Sequence, residues 1–234
     1  LSPDLDPIVL TGHLDVVPLG AADWTMDPFS GEIKDGKMYG RGSSDMKSGV
    51  AAMTVAAIEV FKESGPKGGI KLIYTADEEL GCNGAKRLFE SGYNIGKASA
   101  IVVGEPSGNI PFIGHKGGLF ALAKTKGVTV HSSMPHLGDN AIYKAASAIK
   151  KIEFMKFDAE EDDLLGFPTI NVGTIKGGLN FNSVPDHTEF TVDMRTTTKI
   201  PNQKAMRALE LQLGSEVDIH QLTDLDAIAT SEKN

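Results

Sequence analysis

The sequence has one cysteine, Cys82. That excludes an intrachain disulfide and makes a reducing compartment the expectation. No apolar run approaches the roughly 20 residues that span a bilayer. No charged-then-apolar leader stands ahead of the first strand, so a cytoplasmic protein with no membrane partner is expected. Basic charge is the minority sign, with 23 Lys and Arg against 31 Asp and Glu and a net charge of −8. The cations are scattered rather than clustered, which speaks against nucleic acid as the main partner. Internal repeats and low-complexity tracts are absent. The chain opens on Leu1 rather than Met, almost directly with a strand, so trimmed ends are expected.

What is present is enough apolar content for ordinary cores, 41% of residues, in a chain long enough for one large domain or two small ones. The first part alternates strands and helices. Residues 8–12 (IVLTG) read as a buried strand, and residues 31–40 as a hairpin turning at Asp35-Gly36. A helix follows Asp45 with Val50, Met53, Ala57 and Phe61 on one face, and Gly65-Pro66 stops it. Residues 70–75 read as a second buried strand, NGAKRLFESG as a short helix and 99–104 as a third strand. This order predicts a mainly parallel sheet.

After about residue 115 the rhythm changes. GLFALAKTKG reads as a strand, and NAIYKAASAIKKI as a helix with Ile142, Ala145, Ala146, Ile149 and Ile152 inward. TINVGTIKGG is a strand, and TEFTVDMRT alternates Phe190, Val192 and Met194 against polar neighbours, the mark of a half-buried strand. NQKAMRALELQLG is a helix and EVDIHQL a last strand. The order βαββαβ is the ferredoxin-like signature. The acidic DAEEDD at 158–163 reads as a solvated loop.

Ligands of open α/β sheets bind beyond the carboxyl ends of the strands. The strand at 8–12 is followed by His13 and Asp15, the strand at 70–75 by Asp77, Glu78 and Glu79, and the strand at 99–104 by Glu105. Asp45 stands just ahead of its helix, at the end of GRGSSD. Each has an ordinary explanation by itself: a polar strand end, a solvated loop, a turn before a proline, a helix N-cap. Together they place several carboxylates at one sheet edge, where they repel one another unless a cation is present. Imidazole plus carboxylates suits zinc, with cobalt or manganese as alternatives. More than three acids suggests two divalent metals sharing a carboxylate. Asp15 can reach back to the other imidazole nitrogen of His13. Of the neighbours Glu78 and Glu79, one can hold metal while the other takes a proton.

The motifs GHLDVVP, YGRGSSDMKSG, DEELGCNGAK and GEPSG, followed by VHSSMPHLGDNAI and GGLNFNSVPD…DMR, resemble the M20 metallopeptidase family over nearly the whole chain. The nearest branch in pattern acts on N-succinyl-diaminopimelate and N-acetylornithine. The resemblance implies a zinc-exopeptidase-like α/β catalytic domain at 1–114 and a ferredoxin-like α+β lid and dimerisation domain at 115–222. It places a return toward the catalytic domain at 223–234. It implies His13 and Glu105 as first-metal ligands, Asp45 as the carboxylate bridging two metals, Glu79 as a second-metal ligand, Glu78 as general base and Asp15 as the acid orienting His13. It also implies His131 as a histidine reaching across a homodimer to stabilise an oxyanion, with Asn182 and Arg195 as substrate contacts. The expected substrate is a small N-acyl amino acid, N-succinyl-LL-2,6-diaminopimelate first, with N-acetylornithine, a dipeptide or another N-acyl amino acid as alternatives.

Other readings stand beside it. His131 could cap the loop before the next helix, Asn182 could shape the Gly-Gly turn, and Arg195 could be a surface charge. His115 and His136 read as structural and Cys82 as a plain small residue. The family's helical segment before Leu1 and its last histidine ligand after Asn234 have no counterpart here. An incomplete catalytic domain, a second metal site short of one ligand and exposed apolar sheet edges are therefore expected. A rival class is a dimerisation module without chemistry. A nucleotide binder fits poorly, because GRGSSD lacks the G-x-G-x-x-G spacing.

Overall fold

The computed structural model describes residues 4–63 and 65–231. The chain forms two units, Leu1–Pro111 and Phe112–Asn234. No helix among the described residues is long and apolar enough to cross a membrane.

The first unit contains β1 (Ile8–His13), a hairpin of β2 (Ile33–Lys34) and β3 (Lys37–Met38), α1 (Lys47–Glu63), β4 (Ile70–Thr75), α2 (Asn83–Glu90) and β5 (Ala100–Val103). Its main sheet is parallel, in the order β4-β1-β5. The hairpin turns where expected, with Asp35 and Gly36 both at positive φ. The register matters most. His13 lies beside Thr75, and Thr11 beside Val103. The amide of Gly104 donates to the Thr11 carbonyl at 3.1 Å. Continuing that register two residues past β5 brings Glu105 level with His13.

Two glycines let α1 close on this edge. A Cβ on Gly49 would lie 2.0 Å from the Gly104 carbonyl oxygen, and one on Gly12 would lie 2.3 Å from Met46 Cε. The first contact is with backbone, which cannot swing aside. It brings the start of the helix after Asp45 against the end of the strand before Glu105. Met53 and Ala57 face inward as expected, but Phe61 does not and is 52% exposed. Helical spacing defines a face, but Phe61 lies with Ile58, Ile70 and Leu72 around an open depression beside β4, the edge strand, where no further strand covers it among the described residues. The strands read as buried are only partly so. Ile8 is exposed at the start of β1, Leu72 in β4 is 41% exposed and Ile101 in β5 is 62% exposed. β4 and β5 are the sheet edges, and a parallel sheet buries its strands fully only when elements cover both faces.

The second unit contains β6 (Gly114–His115), β7 (Gly118–Lys126), α3 (Ala141–Glu153), β8 (Thr169–Gly177), β9 (His187–Arg195), α4 (Asn202–Leu213), β10 (Val217–Leu225) and β11 (Ile228–Ala229). Its antiparallel sheet has the order β10-β7-β9-β8, and the β7-α3-β8-β9-α4-β10 sequence is the expected βαββαβ. Alternation works as read: Phe190, Val192 and Met194 are buried, as are Leu119, Ala121 and Ala123 beside them on β7. Ala145, Ala148 and Ile152 of α3 and Ala205, Leu209 and Leu213 of α4 complete this core. Each large side chain buried here contributes about 1.5–3 kcal/mol. Asn140 caps α3, accepting from the amides of Ile142 and Tyr143 at 2.9 and 3.2 Å.

Three readings change in this unit. Ala148 rather than Ala146 faces the core, because the helix presents positions 141, 145, 148 and 152. The last strand runs on to Leu225 through an irregularity at Gln221/Thr223. Ile228–Ala229 then pair with Gly114–His115, within the second unit. The acidic loop is not wholly solvated either. Asp162 is buried, and its carboxylate accepts from the hydroxyl and amide of Thr198 and from the amides of Leu165 and Leu164.

The Thr198 hydroxyl and then the Leu165 amide hold the Asp162 carboxyl down to about 2. A depressed folded-state pKa gives stability that is complete above the unfolded carboxylate range near ~4 and is lost as pH falls through about 2. The wild type should therefore be more stable than Asp162→Asn at neutral pH. The gap should shrink between about pH 4 and pH 2. Urea titrations of both proteins across that range check this, and a pH-independent gap would contradict it.

Candidate metal centre

His13 ends β1 and is buried. Its amide donates to Met46 Sδ at 3.2 Å, and its Nδ1 lies 2.9 Å from the Asp15 carbonyl. A carbonyl oxygen can only accept, so Nδ1 carries the proton. Nε2 then faces the acids, with Asp45 Oδ1 at 3.1 Å and Glu78 Oε2 and Glu105 Oε1 each at 3.8 Å. A cation replacing the proton between Nε2 and Asp45 Oδ1 would meet a lone pair facing the space where the carboxylates converge.

Burial opposes charge on His13, but the Asp15 carbonyl, Asp45 and the fields of Glu105 and Glu78 outweigh it and raise its pKa. Glu105 is also pushed up, first by burial and then by the negative charge of Asp45. Two groups of side chains bring donor atoms within 4.8 Å of one another: His13 with Asp45 and Glu105, and His13 with Glu78 and Glu79. Such crowding costs free energy unless a proton or a cation neutralises it. An imidazole nitrogen with several carboxylate oxygens is the donor set of a borderline divalent ion, so the residues present fit a divalent metal.

Asp15 does more than its position suggests. Its backbone carbonyl, rather than its carboxylate, makes the close contact with His13; Oδ1 lies 3.4 Å from Nδ1. The carboxylate accepts from the amides of Glu78 and Glu79, each at 3.2 Å. Burial would raise its pKa, but these amides bring it below the usual range. Asp15 therefore ties the loop after β4 to the end of β1. Asp45 lies just ahead of α1, and its carboxylate turns to His13. Cys82 is no closer to being a ligand than the sequence suggested. Its Sγ donates to Glu78 Oε1 at 3.6 Å, and burial raises its pKa.

Sequence reasoning missed Met46, which is fully buried under His13, and the Gly49–Gly104 contact. No local pattern marks either, since both depend on which strand lies beside which.

The remaining candidates lie in the second unit, at two ends of its sheet. His131 forms a bridge with Ser183, and the amide of Ser132 donates to the Asn182 carbonyl at 3.0 Å. This brings the His131 and Asn182 segments together beyond the start of β9. Ser133 approaches His131 Nδ1 with its hydroxyl at 2.8 Å and donates its amide at 3.2 Å. Nδ1 is thereby an acceptor, and Nε2–H is left as the exposed donor. Arg195 is not with them. It ends β9, roughly 27 Å along the strand from His187 at ~3.4 Å per residue. There it forks onto Asp193 at 2.8 and 3.1 Å and stacks over Phe120.

Residues 9–223 match the model of peptidase family M20/M25/M40. The chain belongs to this family. It is 36% identical over 217 residues to a protein of Staphylococcus epidermidis named probable succinyl-diaminopimelate desuccinylase, covering 81% of this chain and 53% of that one. It is 35% identical over 208 residues to an acetylornithine deacetylase of Myxococcus xanthus, covering 87% and 53%. This M20 chain thus spans about half the length of the curated relatives it matches. Among solved structures, an M20 family metallo-carboxypeptidase from Sulfolobus solfataricus superposes with a TM-score of 0.76 at 20% identity, covering 94% of this chain and 65% of the other. Aminopeptidase PepT of Bacillus cereus gives 0.70 at 24% identity, covering 100% and 62%. At these identities the structures show a shared fold.

Proposed function

We propose that this M20 chain belongs to a metal-dependent hydrolase of linear amides that removes an N-acyl group from an amino acid in the cytoplasm. The observation that carries the reading is the convergence of His13, Asp45, Glu78, Glu79 and Glu105 at one edge of one parallel sheet. His13, Asp45 and Glu105 would hold one cation. Glu79, with Asp45 shared, would hold a second. Two divalent ions, zinc or alternatively cobalt or manganese, would supply Lewis acidity for the amide carbonyl and acidify the attacking water.

Glu78 takes the proton of that water and returns it to the leaving amine. Asp15 holds Glu78 and Glu79 through their amides, so the base and its neighbour keep a fixed spacing. His131, with Nε2–H exposed, donates to the developing oxyanion from the other protomer of a homodimer. The open edge of β8 in the second unit supports association there. Asn182 accompanies His131, and Arg195 meets the substrate carboxylate once its fork leaves Asp193.

N-succinyl-LL-2,6-diaminopimelate is the favoured substrate, on the names of the relatives at 32–36% identity. N-acetylornithine is the second reading, on the acetylornithine deacetylase at 35%. A panel of both, with a dipeptide, on the zinc-loaded protein tests the choice. Fastest turnover is expected on the succinyl compound, and faster turnover of N-acetylornithine would move the assignment. Failure to take up zinc at all would favour a dimerisation module without chemistry.

A further inference from the structure

Between His13 and β2 the chain runs through residues 14–32 without regular structure. That exceeds the ~15 residues beyond which such loops are uncommon in compact domains and usually functional. The loop leaves directly from two residues of the metal centre, His13 and Asp15, and the chain comes back through the hairpin to Asp45. One side chain gathers it. The amide of Arg41 donates to the Pro28 carbonyl at 2.8 Å, its Nη2 donates to the Pro18 carbonyl at 3.0 Å, and its guanidinium lies 5.0 Å from the centroid of Trp24. Trp24 is itself fixed, its indole N–H donating to the Leu19 carbonyl at 3.1 Å. Next to Arg41, Gly42 has φ +79, and a Cβ there would lie 2.6 Å from Val16 Cγ1. The Gly42 carbonyl then accepts from the amide of Lys47, closing the turn that contains Asp45.

We propose that Arg41 and Trp24 form a clamp that positions Asp45 against His13, making both positioning residues of the metal centre. The proposal rests on the metal reading above. The outgoing strand carries His13 and the returning turn carries Asp45; Met46 packs directly on Gly12 and His13, and Arg41, the Val16–Gly42 packing and the approach of Gly40 to the Pro28 carbonyl tie the loop itself to that turn. Asp45 is more than half exposed as a side chain, so its place depends on its backbone. A guanidinium suits the task because one planar group donates to a carbonyl and stacks on an indole at once. A lysine ammonium in the same place could do one or the other.

The test is titration of zinc into the metal-stripped chain by calorimetry, with tryptophan emission followed in parallel. Trp24 is the sole tryptophan, so the emission reports the clamp directly. The wild type should bind zinc and change its emission on binding. Arg41→Ala and Trp24→Ala should each bind about tenfold more weakly, the lower end of what supporting groups contribute to metal sites. The double variant should be no worse than either single one. Trp24→Phe, which keeps a ring under the guanidinium, should restore affinity. Saturating zinc should leave the emission of Arg41→Ala unchanged. Circular dichroism checks folding, and if Arg41→Ala does not fold, Arg41→Lys and Trp24→Ala decide. Wild-type affinity in a folded Arg41→Ala or Trp24→Ala overturns the clamp alone, whereas a wild type that ignores zinc overturns the metal reading.

Discussion

Asp45→Asn will abolish tight zinc binding while leaving the metal-free protein at least as stable as the wild type. Asp45 Oδ1 lies 3.1 Å from His13 Nε2, and the charge of Asp45 is one of the causes that push Glu105 up. An amide of the same shape keeps a contact to His13 but removes one negative charge from the crowd. In the absence of metal that relieves repulsion between carboxylates. In its presence the site loses a charged oxygen donor, which hard and borderline cations require. Affinity should fall by about a hundredfold or more, beyond the 10–100-fold typical of outer-shell groups. Thermal melts with and without zinc separate the two effects. At a free zinc concentration of ~100 times Kd the wild type gains about 2.7 kcal/mol, or roughly 10–20 °C for a unit of this size. The variant should show no such shift and a metal-free midpoint no lower than the wild type. A variant that still shifts with zinc would remove Asp45 from the ligand set.

Glu78→Gln and Glu79→Gln should fail in different ways. Both carboxylates follow β4, and both amides are held by Asp15, so the backbone gives them equal footing. They differ in where their side chains go. Glu78 reaches to 3.8 Å from His13 Nε2 and accepts from Cys82 Sγ. Loss of a proton-transferring carboxylate costs about 10²–10⁴ in rate. Glu78→Gln should therefore retain zinc and lose turnover by that factor on the favoured acyl amino acid. Glu79→Gln should lose one equivalent of zinc. Zinc stoichiometry measured beside initial rates on the same preparations checks both. If Glu78→Gln loses the metal and Glu79→Gln keeps it, the two roles are exchanged.

Much of the candidate site's placement was legible because these side chains sit where chain direction and sheet rules already point. His13, Glu78, Glu79 and Glu105 each follow a strand that local apolar pattern identifies, and parallel strands end on the same side. The same local logic found Phe190, Val192 and Met194, since a period of two needs no knowledge of the rest of the chain. It failed where burial depends on what lies opposite. Phe61 shares a helical face with Met53, yet Met53 packs at the end of β5 against Gly104 while Phe61 stays open beside the edge strand β4. Asp162 sits in an acidic run, yet the Thr198 hydroxyl and backbone amides from outside that run bury and satisfy it.

The sequence by itself determined the strand and helix order of both units, the donor types at the edge of the first sheet and the family. These rest on periodicity, turn residues and motif spacing, all of which are properties of neighbours in the chain. Only the tertiary structure decided that Glu105 stands level with His13, that the Asp15 carboxylate serves the loop after β4 and that Arg41 gathers residues 14–32. Only it showed that Arg195 and His131 occupy different ends of one sheet. Each of those depends on strand register or on packing across long stretches of chain, and register is set by how whole faces fit together rather than by any one segment.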